Sequence, residues 1–336
     1  SGEVFDGPSS RTARAIDRVF PNDILAKQTR MSGGFYPDLI HQKAPFDIPV
    51  VYEDDHFAIV NKPAGVVTYS HRNGGHGRMS MKAGLPYFLR PPSPGTSTIL
   101  RRPQPVHRLD RPTSGLLIAA KTRPAVAALT EQFVGRRVRK TYTAILHGLP
   151  FEPNDARLSA EEARATGADV EGEGGWQLVD RPLDEKSATT LWRVLEYARS
   201  LKAAEGYLAL VEMKPRTGRY HQLRRHMAEE VGCAMIGDVV YDGGSEAAMN
   251  FRRNGLFLCS NRLALEHPYY NSEEGRAEWR KRRARGEKMA YIGGQLLKEE
   301  ADGTVYVRAE IDLPEKFRVL LEREQQRFDH LSSDHS

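Results

Sequence analysis

Short β-rich runs that occur in pairs constrain the fold of this chain more than any other feature. Val50–Tyr52 and Phe57–Val60 are two such runs, separated by a polar turn of Glu and Asp residues. Thr189–Tyr197 and Gly206–Met213 form a second pair. Pairs of this kind favour hairpins, whereas a steady βαβ alternation would favour a parallel sheet. The pattern predicts an α+β fold with a central mixed, mainly antiparallel sheet flanked by helices.

Further apolar runs and periodic segments complete the predicted element order. The remaining predicted strands are Gly115–Ala120, Lys140–Leu146 and Leu256–Leu265. The predicted helices are Arg11–Phe20, Arg123–Val134, His221–Val231, Glu273–Lys288 and Glu315–Phe328. Residues 70–104 are rich in Gly, Pro, Ser and Arg and predict a long loop. Residues 150–182 are acidic and predict a surface excursion.

The predicted elements divide the chain into four parts. Residues 1–45 are a predicted N-terminal extension, and 46–268 are the principal domain. Residues 269–300 are a highly charged insert, and 301–336 supply a strand and a helix that complete the domain. With 336 residues, 40% of them hydrophobic, the chain is long enough to bury a sizeable core.

Composition narrows the classes of partner and compartment. Lys and Arg outnumber Asp and Glu by 49 to 44, a basic balance compatible with a polyanion. The two cysteines, Cys233 and Cys259, are too few for a disulfide framework or a zinc site, which favours a reducing compartment. We find no apolar run long enough to cross a membrane. We expect a cytoplasmic monomer, or an organellar one if a targeting segment has been removed.

Residues 106–115 combine a carboxylate, Asp110, with basic and hydroxyl side chains directly before a predicted buried strand. Loops at the ends of strands often carry active-site groups, because the sheet holds them rigidly. The alternative is that Asp110 only caps the turn at Arg111 and Pro112. The local sequence leaves both interpretations open.

Residues 214–226 carry four arginines within ten positions. The Thr217-Gly218 pair precedes a predicted helix, where backbone N–H groups favour phosphate. His221, Arg224 and Arg225 share one face of that helix, which would suit an acidic partner. The alternative is a solvated basic face. His221 and His226 are five residues apart, which does not fit the spacing of a zinc-binding helix, so we expect no metal.

Further basic clusters strengthen the case for a nucleic-acid partner. They lie at residues 101–102, 136–140 and 280–285. A charge-laced exposed helix would explain the last of them alone. Together with the other clusters it is compatible with contacts along a phosphate backbone.

Taken in order, these motifs closely resemble the RluA family of RNA pseudouridine synthases. Residues 107–117 resemble the catalytic motif of that family, 140–142 its tyrosine strand, and 216–226 its arginine motif. The resemblance extends over residues 46–268 and makes that part the expected catalytic domain, with a catalytic cleft in the sheet. Within the family, the residues of these motifs most resemble those of the tRNA pseudouridine synthase C branch.

The resemblance implies isomerisation of uridine to pseudouridine in structured RNA, with tRNA favoured over ribosomal RNA and no cofactor. Asp110 is then the catalytic group, Arg224 its ion-pair partner, and Tyr142 the residue that stacks on uracil. Asp110 could attack C1′ or the uracil ring, or assist proton loss at C2′, and the sequence does not choose among these routes. The uridine must be flipped out, and Arg108 is expected to fill the vacated space.

The same resemblance extends the expected site. The residues expected to bind RNA are His107, Arg108, Arg219, Lys62 and Arg216, and those expected to wall the base pocket are Leu223 and Ile118. The first alternative function is a catalytically silent RNA-binding or ribosome-assembly protein on the same fold. A base-excising glycosidase is a second, but it needs another carboxylate to activate water, which these motifs do not supply.

Overall fold

Fourteen strands and seven α-helices occur in the part of the chain that the structure, a computed structural model, describes. That part comprises residues 3–6, 9–12, 24–26, 46–70, 80–96, 98–150, 158–165, 175–285 and 296–333. The strands are β1 (Glu3–Asp6), β2 (Ser9–Thr12), β3 (Ile24–Ala26), β4 (Val50–Glu53), β5 (Phe57–Lys62), β6 (Ile99–Pro105), β7 (Ser114–Thr122), β8 (Arg139–His147), β9 (Gln177–Asp180), β10 (Thr189–Arg199), β11 (Tyr207–Pro215), β12 (Leu258–Glu266), β13 (Leu296–Glu299) and β14 (Val305–Glu310). The α-helices are α1 (Met81–Gly84), α2 (Arg123–Val134), α3 (Ala160–Ala165), α4 (Gln222–Arg225), α5 (Glu246–Met249), α6 (Glu273–Ala284) and α7 (Lys316–Ser333).

Eleven of these strands form one sheet. Its main path runs β4-β5-β7-β12-β8-β11-β10-β9, with β6 on β7, β14 on β12 and β13 on β14. The neighbours are antiparallel except β7 and β12, which are parallel. The predicted α+β class with a mixed, mainly antiparallel sheet is therefore confirmed. Strands β1 to β3 form a separate antiparallel sheet.

The parallel contact between β7 and β12 depends on Gly115. Its φ is +112°, and a Cβ built there would lie 2.2 Å from the Ser260 carbonyl oxygen of β12. Any other residue would therefore force the strands apart. Gly115 is the second residue of β7, so the close approach anchors the strand that begins directly after the loop that carries Asp110.

The core lies on both faces of the sheet, and β7 divides its side chains between them, as the alternation of a strand requires. Leu117 and Ala119 pack in the apolar cluster that includes Tyr142. Leu116 and Ile118 pack in a different cluster, against α2 and β14. Ile118 is fully buried there, so the prediction that it walls the base pocket is wrong.

Several predicted elements differ from the observed ones. The predicted loop 70–104 contains α1 and ends in β6, which pairs with β7. The predicted helix Arg11–Phe20 is wrong at its first two residues, which belong to β2, and residues 13–20 lie outside the described part of the chain. The predicted helix His221–Val231 begins one residue later, because His221 has a left-handed φ of 51°, and it continues as a π-helical turn, His226–Glu230. No described helix is long and apolar enough to cross a membrane.

Candidate active site

An open cleft of about 430 Å³ lies between the loop that joins β6 to β7 and the segment that leads into α4. The loop is anchored at its start by His107, whose Nε2 accepts a hydrogen bond from the Ile118 N–H at 3.0 Å. Burial, with a smaller effect of Lys140, lowers the pKa of His107 to about 3. His107 is therefore neutral and cannot act as a cationic phosphate ligand, although its ring lines the cleft.

The middle of the loop is held by the segment that follows β5. Lys62 is completely buried, and its Nζ donates to the carbonyl oxygens of Val66 at 2.7 Å, Pro63 at 2.9 Å and Arg111 at 3.3 Å. Burial lowers its pKa to about 7, and the charge of Asp110 opposes this shift. The prediction that Lys62 contacts phosphate is wrong: Lys62 is buried and ties the segment that follows β5 to the carbonyl of Arg111, the residue directly after Asp110.

Asp110 lies in the middle of this braced loop with its side chain 20% exposed. The backbone N–H of Thr113 donates to the Asp110 carbonyl, at 3.1 Å, and closes the turn. In the described part of the chain no backbone N–H donates to the Asp110 carboxylate, so the carboxylate is not the cap of this turn. Its oxygen Oδ2 lies 3.8 Å from His221 Nε2, across the cleft.

Tyr142, on β8, lines the same cleft and is 9% exposed. Burial raises its pKa to about 12, and the negative charge of Asp110 adds to the effect. The phenol is therefore protonated at neutral pH and offers a flat ring and an O–H donor. Leu223 and Leu258, which are 7% and 3% exposed, supply apolar surface beside it.

A buried hydrogen-bond network positions the arginine segment opposite the loop. Gln222, the first residue of α4, accepts at Oε1 from the Thr217 hydroxyl, at 2.6 Å, and from the Arg219 N–H, at 3.0 Å. Its Nε2 donates to the Thr190 hydroxyl on β10, at 2.9 Å. These contacts tie the helix entrance to the sheet through neutral groups.

The partner of Arg224 differs from the predicted one. Its guanidinium donates twice to Asp238, with Nε–Oδ2 and Nη2–Oδ1 distances of 2.6 Å each, and both side chains are buried. Burial opposes the charge of Arg224, but the hydrogen bonds to Asp238 raise its pKa. The predicted ion pair with Asp110 is therefore wrong as a direct contact: Asp238 pairs with the buried guanidinium, and Asp110 acts on it through its charge, which also raises the pKa of Arg224.

His221 lies between Arg224 and Asp110. Its Nε2 accepts from Arg224 Nη1, at 3.1 Å, because a guanidinium is always a donor. The Nδ1 atom must then carry the hydrogen of the neutral ring, and it donates to the Tyr241 hydroxyl at 3.0 Å. Burial lowers the pKa of His221, Asp110 opposes the shift, and Arg224 adds to it.

The remaining predicted residues lie at the rim or beside it. Arg108 is exposed and Arg219 half-buried, and both line the cleft; Arg219 Nε donates to the Ser187 carbonyl at 2.9 Å. Arg216 is half-buried beside the cleft, where burial and the charges of Arg136 and Arg139 lower its pKa. The predicted residues that line the cleft are His107, Arg108, Asp110, Tyr142, Arg219, Leu223 and Arg224.

Sequence reasoning assigned no role to several residues that the structure brings to the site. They are Phe133, Lys140, Tyr220, Asp238, Tyr241 and Leu258. Asp238 and Tyr241 belong to a stretch whose resemblance to the family was visible, but only the fold shows which side chain each one contacts. No group of three or more His, Cys, Asp or Glu side chains able to hold a metal ion occurs in the described residues.

Comparison with known proteins defines the class. A family model described as RNA pseudouridylate synthase matches residues 56–229, which include Asp110, Tyr142 and Arg224. The chain is thus an RNA-modifying enzyme that makes pseudouridine. It belongs to the RluA-type family of RNA pseudouridylate synthases.

Two relatives and one solved structure illustrate the range of similarity. The chain is 33% identical to ribosomal large subunit pseudouridine synthase D of Zymomonas mobilis over 234 residues, which are 67% of each protein. It is 30% identical to tRNA pseudouridine synthase C of Vibrio vulnificus over 234 residues, 67% of this chain and 88% of that relative. Human RNA pseudouridylate synthase domain containing 4 aligns with a TM-score of 0.45 and 23% identity, covering 65% of this chain and 84% of that one.

Proposed function

We propose that this chain converts a uridine of tRNA to pseudouridine, with Asp110 as the catalytic group. The observation that carries the proposal is the position of Asp110: it is the one carboxylate among the described residues that line the cleft. It lies in the middle of a loop braced by buried hydrogen bonds. The tRNA assignment is supported by the Vibrio vulnificus relative, of which the chain covers 88%, compared with 67% for the ribosomal relative of Zymomonas mobilis.

The chemistry fits a site with a single carboxylate. The C1′–N1 bond of uridine breaks, the uracil rotates, and a C1′–C5 bond forms; C5 loses its hydrogen and N1 gains one, so the product is an isomer. No water is consumed, whereas glycoside hydrolysis usually requires a second carboxylate to activate water. Asp110 acts at the sugar or the ring in each of the routes considered, so the assignment does not depend on the route.

The wall of the cleft suits a flipped-out uracil. Tyr142 offers an aromatic face and a protonated hydroxyl, while Leu223 and Leu258 offer apolar contact. Flipping exposes a base that stacking and pairing would otherwise hide. Arg108, exposed on the loop two residues before Asp110, is in position to enter the space that the uridine leaves, and Arg219 can contact the backbone phosphates.

The test is to map pseudouridines in the tRNA and ribosomal RNA of cells that carry the wild-type protein, Asp110→Asn, or no protein. We expect one or more tRNA sites that require the wild-type protein and disappear with Asp110→Asn. The matched control is Asp312→Asn, an exposed aspartate outside the cleft, which should leave every site modified.

The outcomes separate the proposal from its alternatives. A dependent site in ribosomal RNA, with none in tRNA, would contradict the proposed tRNA substrate but would still support Asp110 as the catalytic group. No dependent site in any RNA, with Asp110→Asn folded and RNA-bound like the wild type, would favour the catalytically silent RNA-binding or ribosome-assembly protein.

A further inference from the structure

Tyr220 is an aromatic residue at the cleft that the proposed chemistry does not use. It lies between Arg219 and His221 and lines the cleft, yet its side chain is 59% exposed. A large aromatic ring left in water beside a concave, cationic site is a feature of recognition surfaces more than of cores. The exposed ring is therefore a candidate contact for bound RNA.

One face of the Tyr220 ring is already occupied. It stacks on the imidazole of His221, with ring centroids 3.8 Å apart and an interplanar angle of 20°. Because the residue is 59% exposed while that face is covered, its exposed area includes the opposite face. A further flat ring placed there would extend the stack by one layer.

The support beneath the ring is fixed. His221 is held by hydrogen bonds to Tyr241, at 3.0 Å, and to Arg224, at 3.1 Å. Arg224 is in turn fixed by Asp238. The orientation of the Tyr220 ring therefore rests on a hydrogen-bonded imidazole that is anchored to a buried ion pair, and such fixed support is what a pre-organised stacking platform requires.

We propose that the exposed face of Tyr220 binds the unpaired base next to the target uridine in the RNA chain. The inference rests on the proposed function, because flipping the uridine removes a stacking neighbour from that base. Stacking on an aromatic side chain replaces the lost neighbour and tolerates any base, with purines favoured by their larger rings. Arg219, directly beside Tyr220, is placed for the phosphate of the same nucleotide.

The test uses a stem–loop RNA derived from tRNA, with 2-aminopurine on the 5′ side of the target uridine in one set and on the 3′ side in another. We expect the wild-type protein, Tyr220→Phe and Tyr220→Trp to quench the fluorescence at one of the two positions. Tyr220→Ala and Tyr220→Leu should not quench it, and should weaken RNA binding roughly 5- to 150-fold. The leucine variant keeps apolar cover on His221, so it separates loss of the ring from loss of packing.

Pseudouridine formation is measured on the same RNA at saturating protein. A platform for the flanking base predicts that the alanine and leucine variants keep the maximal rate and lose affinity. The inference is overturned if these variants bind and quench like the wild type, or if they lose the maximal rate with unchanged affinity, which would make Tyr220 only a support for His221. If the wild-type protein quenches the 2-aminopurine fluorescence but makes no pseudouridine, the proposed function is contradicted while the stacking site on Tyr220 is still supported.

Discussion

Replacing Asp238 with alanine tests whether the arginine segment depends on one buried ion pair. Asp238 accepts two hydrogen bonds from Arg224, each at 2.6 Å, and one each from the backbone N–H groups of Val240, at 3.0 Å, and Tyr241, at 3.2 Å. Its removal leaves a buried guanidinium, 4% exposed, without its carboxylate. Both the helix α4 and the loop that carries Tyr241 should then loosen.

The expected size follows from burial. Breaking a buried ion pair by removing one partner costs about 3–5 kcal/mol. At about 2.1 cal/mol/K per residue, unfolding a chain of 336 residues has an entropy of about 0.7 kcal/mol/K. The melting temperature of Asp238→Ala should therefore fall by about 4–7 °C.

The assay is thermal unfolding followed by circular dichroism, with Asp184→Asn as the matched control. Asp184 also pairs with an arginine of α4, Arg225 at 3.0 Å, but its side chain is 67% exposed, so its loss should shift the melting temperature by no more than about 1.5 °C. The double variant Arg224→Met/Asp238→Leu should be more stable than Asp238→Ala, because it leaves no buried charge unpaired. Equal melting temperatures for Asp238→Ala and Asp184→Asn would refute the reasoning.

Three further predictions concern the loop and its strands. Gly115→Ala should lower the free energy of unfolding by more than about 4 kcal/mol, because its Cβ would overlap the backbone of β12. Gly65→Ala is the control: its φ is +87° but the space around it is open, so it should cost only about 1–2 kcal/mol. Denaturant titration of both variants measures the difference. Lys62→Met should lower the rate of pseudouridine formation without changing the salt dependence of RNA binding, whereas Arg219→Gln should reduce that slope by about 0.7–0.9 if it contacts one phosphate. His107 has its folded pKa lowered to about 3, so the unfolded state takes up a proton first as the pH falls below about 6.5 and stability is lost from there downward. His107→Gln should flatten this loss in unfolding experiments between about pH 6.5 and 5, and an unchanged pH dependence would contradict it.

The sheet was predictable because paired β-rich runs separated by turns specify hairpins locally. The parallel contact between β7 and β12 was not, because it depends on the backbone of Gly115 passing within van der Waals distance of another strand. A glycine before an apolar run has many uses, and the sequence does not show which one applies. The start of α4 was missed for a similar reason: a left-handed φ at His221, a residue with a Cβ, is held by contacts made after folding.

The site was predictable as a set of segments, and its contacts were not. The motifs named both the Asp110 loop and the arginine segment, which the fold brings to opposite walls of one cleft. Which carboxylate Arg224 meets depends on distance and burial, and the nearer one, Asp238, lies in a stretch to which no role had been assigned. The prediction that Ile118 walls the base pocket was wrong because, in a strand, an error of one position moves a side chain to the other face of the sheet.

Burial also separates the basic residues of the site into two kinds. Arg224 and Lys62 are buried, and each uses its donors on groups of the protein itself, which suits them to hold the site together more than to contact phosphate. Arg108 and Arg219 lie at the rim, where a charge attracts phosphate without the cost of removing it from water. The wall beyond them includes the apolar and aromatic side chains of Tyr142, Leu223 and Leu258, and Asp110 is the one carboxylate among the described residues that line it. Under the proposed function, this division by depth would place the polyanionic backbone outside the cleft and one neutral base inside it. That arrangement is what an enzyme must have if it changes a base without cutting the chain.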